Sequence, residues 1–279
     1  MIEPYGRRYR LLWRRHWWWR ARAAWLIAWV ERLHRRAPRH QILDVGCGNG
    51  LFFPALRRFG AVEGIEPEGR LVRSRRWRSA IRVEPLSLRV ARRGPYDLVL
   101  MLDVLEHIDD DAGALESARA ALRPGGHLLL TVPALSWLWS RHDEANHHFR
   151  RYDRRSLRRR LEGAGFVVEE LRYFYAWTVG PLLVRRWAEP AGRGAAEHEV
   201  ALPPRWLNRA LEALSRAELA VSRRLPWPIG SSLLAIARRP EAPATGPDFA
   251  GRALPPAAIT PEWGAAPSPT RSPMAPLRR

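Results

Sequence analysis

The sequence predicts a doubly wound α/β domain, and three observations predict it. Between residues 40 and 175, short apolar runs alternate with segments of helical spacing. A glycine-rich turn stands between the first apolar run and the first helical segment. The 279 residues are 46% apolar and 27% charged, which is enough material for a full core.

Each element follows from local pattern. Ile42–Val45, Val62–Ile65, Leu98–Leu102 and His127–Val132 read as strands. They are short, continuous and apolar, as strands of a parallel sheet covered on both faces should be. Residues 51–59, 68–78 and 111–122, between them, have helical spacing. Residues 153–164 form an Arg-rich helix stopped at Gly163-Ala164-Gly165. A strand over Phe166–Tyr175, a helix over 205–224 and a last strand over 232–237 complete the domain.

Two flanking segments differ from this core. Residues 1–39 hold 11 Arg, 2 Glu and six Trp. On a helical projection of 11–34, Trp18, Trp19, Trp25, Leu26, Trp29, Val30 and Leu33 share one broad face, with Arg15 and Arg22 intruding. Ala37-Pro38 is expected to end that helix. Residues 240–279 hold 10 of the 24 prolines and are expected to be disordered. The expected organisation is a basic amphipathic helix over 1–39, an α/β domain over 40–239 and a tail over 240–279.

Composition bounds the partners. The chain has no lysine, and its 47 arginines against 28 acids give a net charge of +19. Such a balance points to nucleic acid or an anionic membrane. A GC-rich genome that writes Arg for Lys is the competing explanation. The single Cys47 excludes an intramolecular disulfide framework and suits a reducing compartment. No secretory signal is read at the N-terminus and no apolar run reaches spanning length. The expected location is the cytoplasm, with peripheral contact to a membrane as an addition.

The strongest motif is Asp44-Val45-Gly46-Cys47-Gly48-Asn49-Gly50, directly after a strand. Glycines there permit a tight strand-to-helix turn and close approach of a ligand to the backbone. The G-x-G-x-G spacing is not the dinucleotide G-x-G-x-x-G, because Leu51 stands where the last glycine would be. Asp44 suits a ligand with a positive group. Glu66, in Gly64-Ile65-Glu66-Pro67 at the end of the next strand, is placed to accept both hydroxyls of a ribose.

Two further runs, Tyr96 to Ile108 (YDLVLMLDVLEHI) and Leu122 to Pro133 (LRPGGHLLLTVP), complete a recognisable order. The chain resembles the class I S-adenosylmethionine (SAM)-dependent methyltransferases, nearest the branch with the ubiquinone-biosynthesis O-methyltransferases. The resemblance covers about 40–175 and the last strand. It implies a Rossmann-like seven-stranded sheet and SAM as cofactor. It also implies that Gly46, Cys47 and Gly48 line the cofactor through their backbone. Asp44 would face the amino group, Glu66 the ribose and the Leu102 carbonyl the amino group again. Pro85 departs from the Gly-Asp pair frequent after the third strand, which leaves Glu84 or the Leu86 backbone for adenine.

The acceptor side is read from Trp137 to Tyr152, which gathers His142, Asp143, Glu144, His147 and His148. A histidine can take a proton from a hydroxyl. Similar sequences share the Asp-Glu…His-x-Arg-Arg-Tyr run, and this singles out His148 as catalytic base or as a brace of the lid. The spacing of His142, Asp143, His147 and His148 matches no metal motif, so no metal is expected. Asp103, Glu106 and His107 are expected to be structural, and Cys47 a small filler. The N-terminal helix is read as a lid over the cofactor or as a membrane contact, with 176–187 and 225–236 adding apolar surface. The expected acceptor is a small or lipid-linked molecule, methylated on oxygen. The alternatives are an RNA methyltransferase using the eight Arg of 141–160, and a scaffold without catalysis.

Overall fold

The computed structural model describes residues 10–36, 41–91, 93–188 and 201–241. The expected helix stop at Ala37-Pro38 and all of the tail beyond residue 241 lie outside them.

Seven strands form one sheet: β1 (Gln41–Val45), β2 (Ala61–Ile65), β3 (Ile81–Arg82), β4 (Tyr96–Leu102), β5 (Leu122–Pro133), β6 (Val167–Phe174) and β7 (Ser232–Arg238). Their order is β3-β2-β1-β4-β5-β7-β6. The order reverses between β1 and β4, the crevice where α/β folds bind ligands. The pairs from β3 to β5 are parallel, whereas β7 runs antiparallel to both β5 and β6. The four apolar runs read as parallel strands do pair in parallel, and the antiparallel edge is formed by the two later strands, to which the sequence reading gave no direction. Burial on both faces produces such runs whatever the strand direction.

Alternation along the strands divides the core in two. Leu98 and Leu100 face one layer, Val99 and Met101 the other, and all four are fully buried. The first layer is covered by α1 (Trp17–Arg36), the single turn α2 (Phe53–Leu56) and α8 (Arg205–Ser222). The second lies under α3 (Leu88–Ala91), α4 (Asp111–Ala121) and α6 (Arg154–Gly163). Side chains set the helix starts. Asp110 accepts from the Gly113 N–H (2.9 Å) to cap α4. Asp153 and Ser156 form a reciprocal capping box on α6. The remaining helices are α5 (Arg141–Ala145) and α7 (Val179–Ala188).

The apolar face of the N-terminal helix is in the core. Trp19, Trp25, Trp29, Leu26, Val30 and Leu33 are all buried, and Trp25 packs on Phe174 with ring centroids 4.6 Å apart. These indoles cover the sheet and are not available to a membrane interface.

Two expected helices shrink. Only one α-turn forms within 51–59, and 68–78 holds no α-helix, only 3-10 turns at Gly69–Leu71 and Arg78–Ala80. A tertiary bond explains the second: the Arg73 N–H donates to Asn49 Oδ1 (2.9 Å) and ties the segment to the glycine-rich turn. Trp77 then buries its ring over Phe53 (5.6 Å between centroids). The fourth predicted strand begins earlier than expected, at Leu122. Among the described residues no helix is long and apolar enough to cross a membrane.

Candidate active site

The turn after β1 is built on left-handed glycines. Gly46, Gly48 and Gly50 have φ of +68°, +53° and +67°, a region that favours glycine. The Gly46 and Cys47 N–H groups both donate to the Ile65 carbonyl (2.9 and 3.2 Å), which fastens the turn to the end of β2. A side chain at Gly46 would strike Val104, while a Cβ at Gly48 would meet nothing within 4 Å. The Gly48 backbone is thus the open wall of the crevice.

Glu66 closes the same corner. Its carboxylate accepts the Gly48 N–H (2.8 Å) through Oε2 and the Glu68 N–H (3.0 Å) through Oε1. A carboxylate has about four lone-pair sites, so two remain for outside donors. Burial raises the Glu66 pKa, opposed by these two backbone bonds. Asp44 is also buried, and burial followed by the Glu66 charge pushes its pKa up to about 8. Among the described residues neither carboxylate forms an ion pair. Together they make an electronegative floor suited to a cation and to hydroxyl donors.

The other residues singled out in the sequence fall around this floor with different side-chain roles. Cys47 packs its thiol where a Gly64 Cβ would stand (2.4 Å from Sγ), and burial pushes the thiol pKa up. It fills space and offers only its backbone. Leu102 ends β4 at the crevice. The Leu86 side chain is in the core. Glu84 is engaged by Arg82 and Arg93.

Above the sheet, residues 134–152 form a loop closed at its base. Ala134 and Tyr152 make a parallel bridge, and the Leu135 N–H donates to the Tyr152 carbonyl (2.8 Å). At its centre Asp143 is wholly buried. It accepts from Arg151 Nε (2.8 Å) and Nη2 (2.9 Å), from the Ser140 N–H (2.9 Å), and pairs with His148 Nδ1 (2.9 Å). Although burial opposes it, these partners hold the Asp143 pKa well below the usual carboxylate range. An ionised Asp143 takes the His148 Nδ1–H, so Nε2 is the free nitrogen. Tyr152 is instead a brace, its hydroxyl donating to Asp111 (3.0 Å).

His148 lies edge to face with His107 (4.6 Å between centroids). Ligand-capable atoms of Glu106, His107 and His148 lie within 4.8 Å of one another, close enough to share a divalent cation. Of the four residues whose spacing was tested for a metal, only His148 belongs to this set. Burial, then the Asp103 charge, raises the Glu106 pKa well above normal, and burial lowers that of His107 to about 3.

The sequence reading missed Arg22. Its guanidinium crosses from α1 to the carboxyl end of the sheet, 2.7 Å from Asp103 and 2.6 Å from Thr131 Oγ1. Thr131 donates in turn to Asp103 (3.0 Å). The available signal was an arginine intruding on an apolar helix face. Such a charge is buried only with a partner.

The family described as a methyltransferase domain matches residues 18–171. A ubiquinone biosynthesis O-methyltransferase of Bordetella avium is 31% identical over 115 residues, 38% of this chain and 48% of that protein. One of Acinetobacter baumannii is 25% identical over 190 residues, 59% of this chain and 78% of that one. The chain thus spans about half the length of the first relative. A chain of the solved complex between the Haloferax volcanii Trm112 methyltransferase activator and a methyltransferase shares the fold. It has a TM-score of 0.51 and 16% identity over 87% of this chain and 97% of its own. A Galdieria sulphuraria structure described as a sarcosine dimethylglycine methyltransferase has a TM-score of 0.50 and 15% identity, covering 78% and 85%.

Proposed function

Because the chain belongs to the methyltransferase-domain family, we propose that it is a SAM-dependent enzyme that methylates a hydroxyl of a small or lipid-linked acceptor, with His148 as base. The observation that carries this reading is the His148–Asp143 pair in the 134–152 loop, together with the buried carboxylates Asp44 and Glu66 beside the glycine-rich turn. The residues fit the cofactor. Asp44 offers a buried carboxyl whose ionisation an ammonium group would favour, Glu66 has two unused lone-pair sites for its ribose hydroxyls, and Gly48 leaves the backbone open to it. Gly46, Cys47, the Leu102 carbonyl and the Leu86 backbone complete the contacts we assign. When bound, SAM supplies an activated methyl group on a sulfonium.

The chain's own part is then modest. The floor orients the donor, and the 134–152 loop and α1 exclude water. His148 Nε2 takes the acceptor's hydroxyl proton while Asp143 stabilises the charged ring. Arg151 and Ser140 hold Asp143 in place.

The test is methyl transfer from SAM to phenolic acceptors with and without a prenyl chain, beside an RNA substrate. Turnover of a phenol with none on RNA supports the reading. Turnover on RNA alone would reject it in favour of the Arg-rich surface as a nucleic-acid site, and no SAM binding would leave a scaffold.

Asp44 gives an independent pH signature. Its carboxyl moves from an ordinary 3.8 to about 8 on folding. Between those values the folded chain keeps a proton that the unfolded chain has lost, so stability falls as pH rises. The penalty is complete above pH ~8. Asp44→Asn is therefore expected to raise the Tm of the ligand-free protein at pH ~9 and much less at pH ~5. Equal shifts at both pH values, by thermal melting, would contradict this assignment.

A further inference from the structure

The outer face of α8 is unused by the site. Its inner face is accounted for. Ser215, Glu218, Leu219 and Ser222 are buried, and Asn208 accepts the Trp17 N–H (2.9 Å) and donates to the Arg15 carbonyl (2.8 Å). Trp206, Ala210, Leu214, Ala217 and Val221 lie outward, and the line continues to Leu225. Steps of four and three residues keep these positions on one side of the helix. All six are exposed, Trp206 by 72% and Leu225 by 66%.

Among the described residues the exposed charge of this helix is positive. The helix's two glutamates turn inward, Glu212 to Arg20 (2.9 Å) and Arg216, Glu218 to the Ala176 N–H (2.9 Å). Arg205, Arg209, Arg223 and Arg224 are exposed. At the C-terminal end, Arg32 of α1 joins Ala220, Arg223 and Arg224 around a cavity of about 300 Å³. Arg32 also reaches Glu170 (3.3 Å), whereas among the described residues Arg223 and Arg224 form no ion pair.

We infer that this face docks flat on an anionic membrane. The Trp206–Leu225 stripe enters the acyl boundary, and the Arg32, Arg223 and Arg224 cavity takes a lipid phosphate. A helix with an apolar stripe bordered by cations binds anionic interfaces in this way, and guanidinium groups match phosphate oxygens. A second copy is disfavoured, because a two-fold contact would set arginines against arginines, and among the described residues the nearby Glu170 and Glu212 are already paired within the chain. Nucleic acid rewards the charge but has no use for exposed Leu214, Val221 and Leu225. The helix lies beyond the family match, which ends at residue 171. The inference does not depend on which acceptor is methylated.

The test is co-sedimentation of the full chain with phosphatidylcholine vesicles, with and without phosphatidylglycerol, in the absence of cofactor and acceptor. Binding is expected only to the mixed vesicles. A Leu214→Ser/Val221→Ser/Leu225→Ser variant and an Arg223→Glu/Arg224→Glu variant should each lose about tenfold or more in affinity. These positions are exposed, so circular dichroism and Tm should be unchanged. Equal binding to both vesicle types, or no loss in either variant, would overturn the inference. So would displacement by soluble glycerol phosphate, which would reassign the cavity to a free anion. Self-association abolished by the serine variant would make a second copy the occupant. RNA binding lost in the glutamate variant, without vesicle binding, would make it nucleic acid.

Discussion

Replacing His148 by alanine is expected to lower kcat by roughly 10²–10⁴-fold with little change in SAM affinity. The asymmetry follows from position. Among the described residues His148 contacts Asp143 and His107 in and beneath the 134–152 loop, whereas Glu66 is bonded to the glycine-rich turn. It touches neither the glycine-rich turn nor the ribose corner. The acid limb of the pH–rate profile should disappear in the variant, because that limb reports protonation of the base. A residue that only braced the loop would raise KM, lower Tm and leave the limb intact. A metal role makes a different mark. Activity abolished by a chelator and restored by a divalent cation would turn His148, with Glu106 and His107, into a ligand and sink the base assignment.

Glu66→Ala should weaken SAM binding about 100-fold, or ~2.7 kcal/mol, measured by calorimetric titration. Each hydrogen bond to a charged group is worth about 1.5–3 kcal/mol. The substitution removes those to the ribose and also releases the Gly48 N–H, which shapes the turn. Glu66→Gln retains one acceptor and should lose less. A change below about threefold in Glu66→Ala would move the ribose away from this corner.

The glycine-rich turn and Glu66 were legible in the sequence because their signals are local. A left-handed backbone demands glycine at 46, 48 and 50, and the next strand must end in a carboxylate that reaches the turn. The strands were legible because two-sided burial forces apolar runs. What was not legible depends on contacts between distant segments. Residues 68–78 have helical spacing, but Asn49 and the burial of Trp77 draw them into turns. The antiparallel direction of β7 depends on its pairing with β5 and β6, which no strand pattern encodes. Arg22 stood in plain view on the apolar face, but its partners, Asp103 and Thr131, come from two other strand ends. Likewise, Asp143 and His148 are near in sequence, but their pairing depends on Arg151 and Ser140 folding around them.

The closed base of the 134–152 loop has an evolutionary consequence. Both of its ends leave the sheet at the Ala134–Tyr152 bridge, so a change of length between them is absorbed within the loop, apart from its anchors at Leu138, Phe149 and Arg150. Lengthening or exchanging it moves no strand, and each doubling of such a loop costs only about 0.6 kcal/mol in closure entropy. The floor of Asp44 and Glu66 is written into strand ends and cannot drift in this way. One half of the pocket is therefore fixed by strand ends, while the other is carried by a loop joined to the sheet at one bridge. A lineage can change what it methylates by splicing at Ala134 and Tyr152, without renegotiating how it holds its donor.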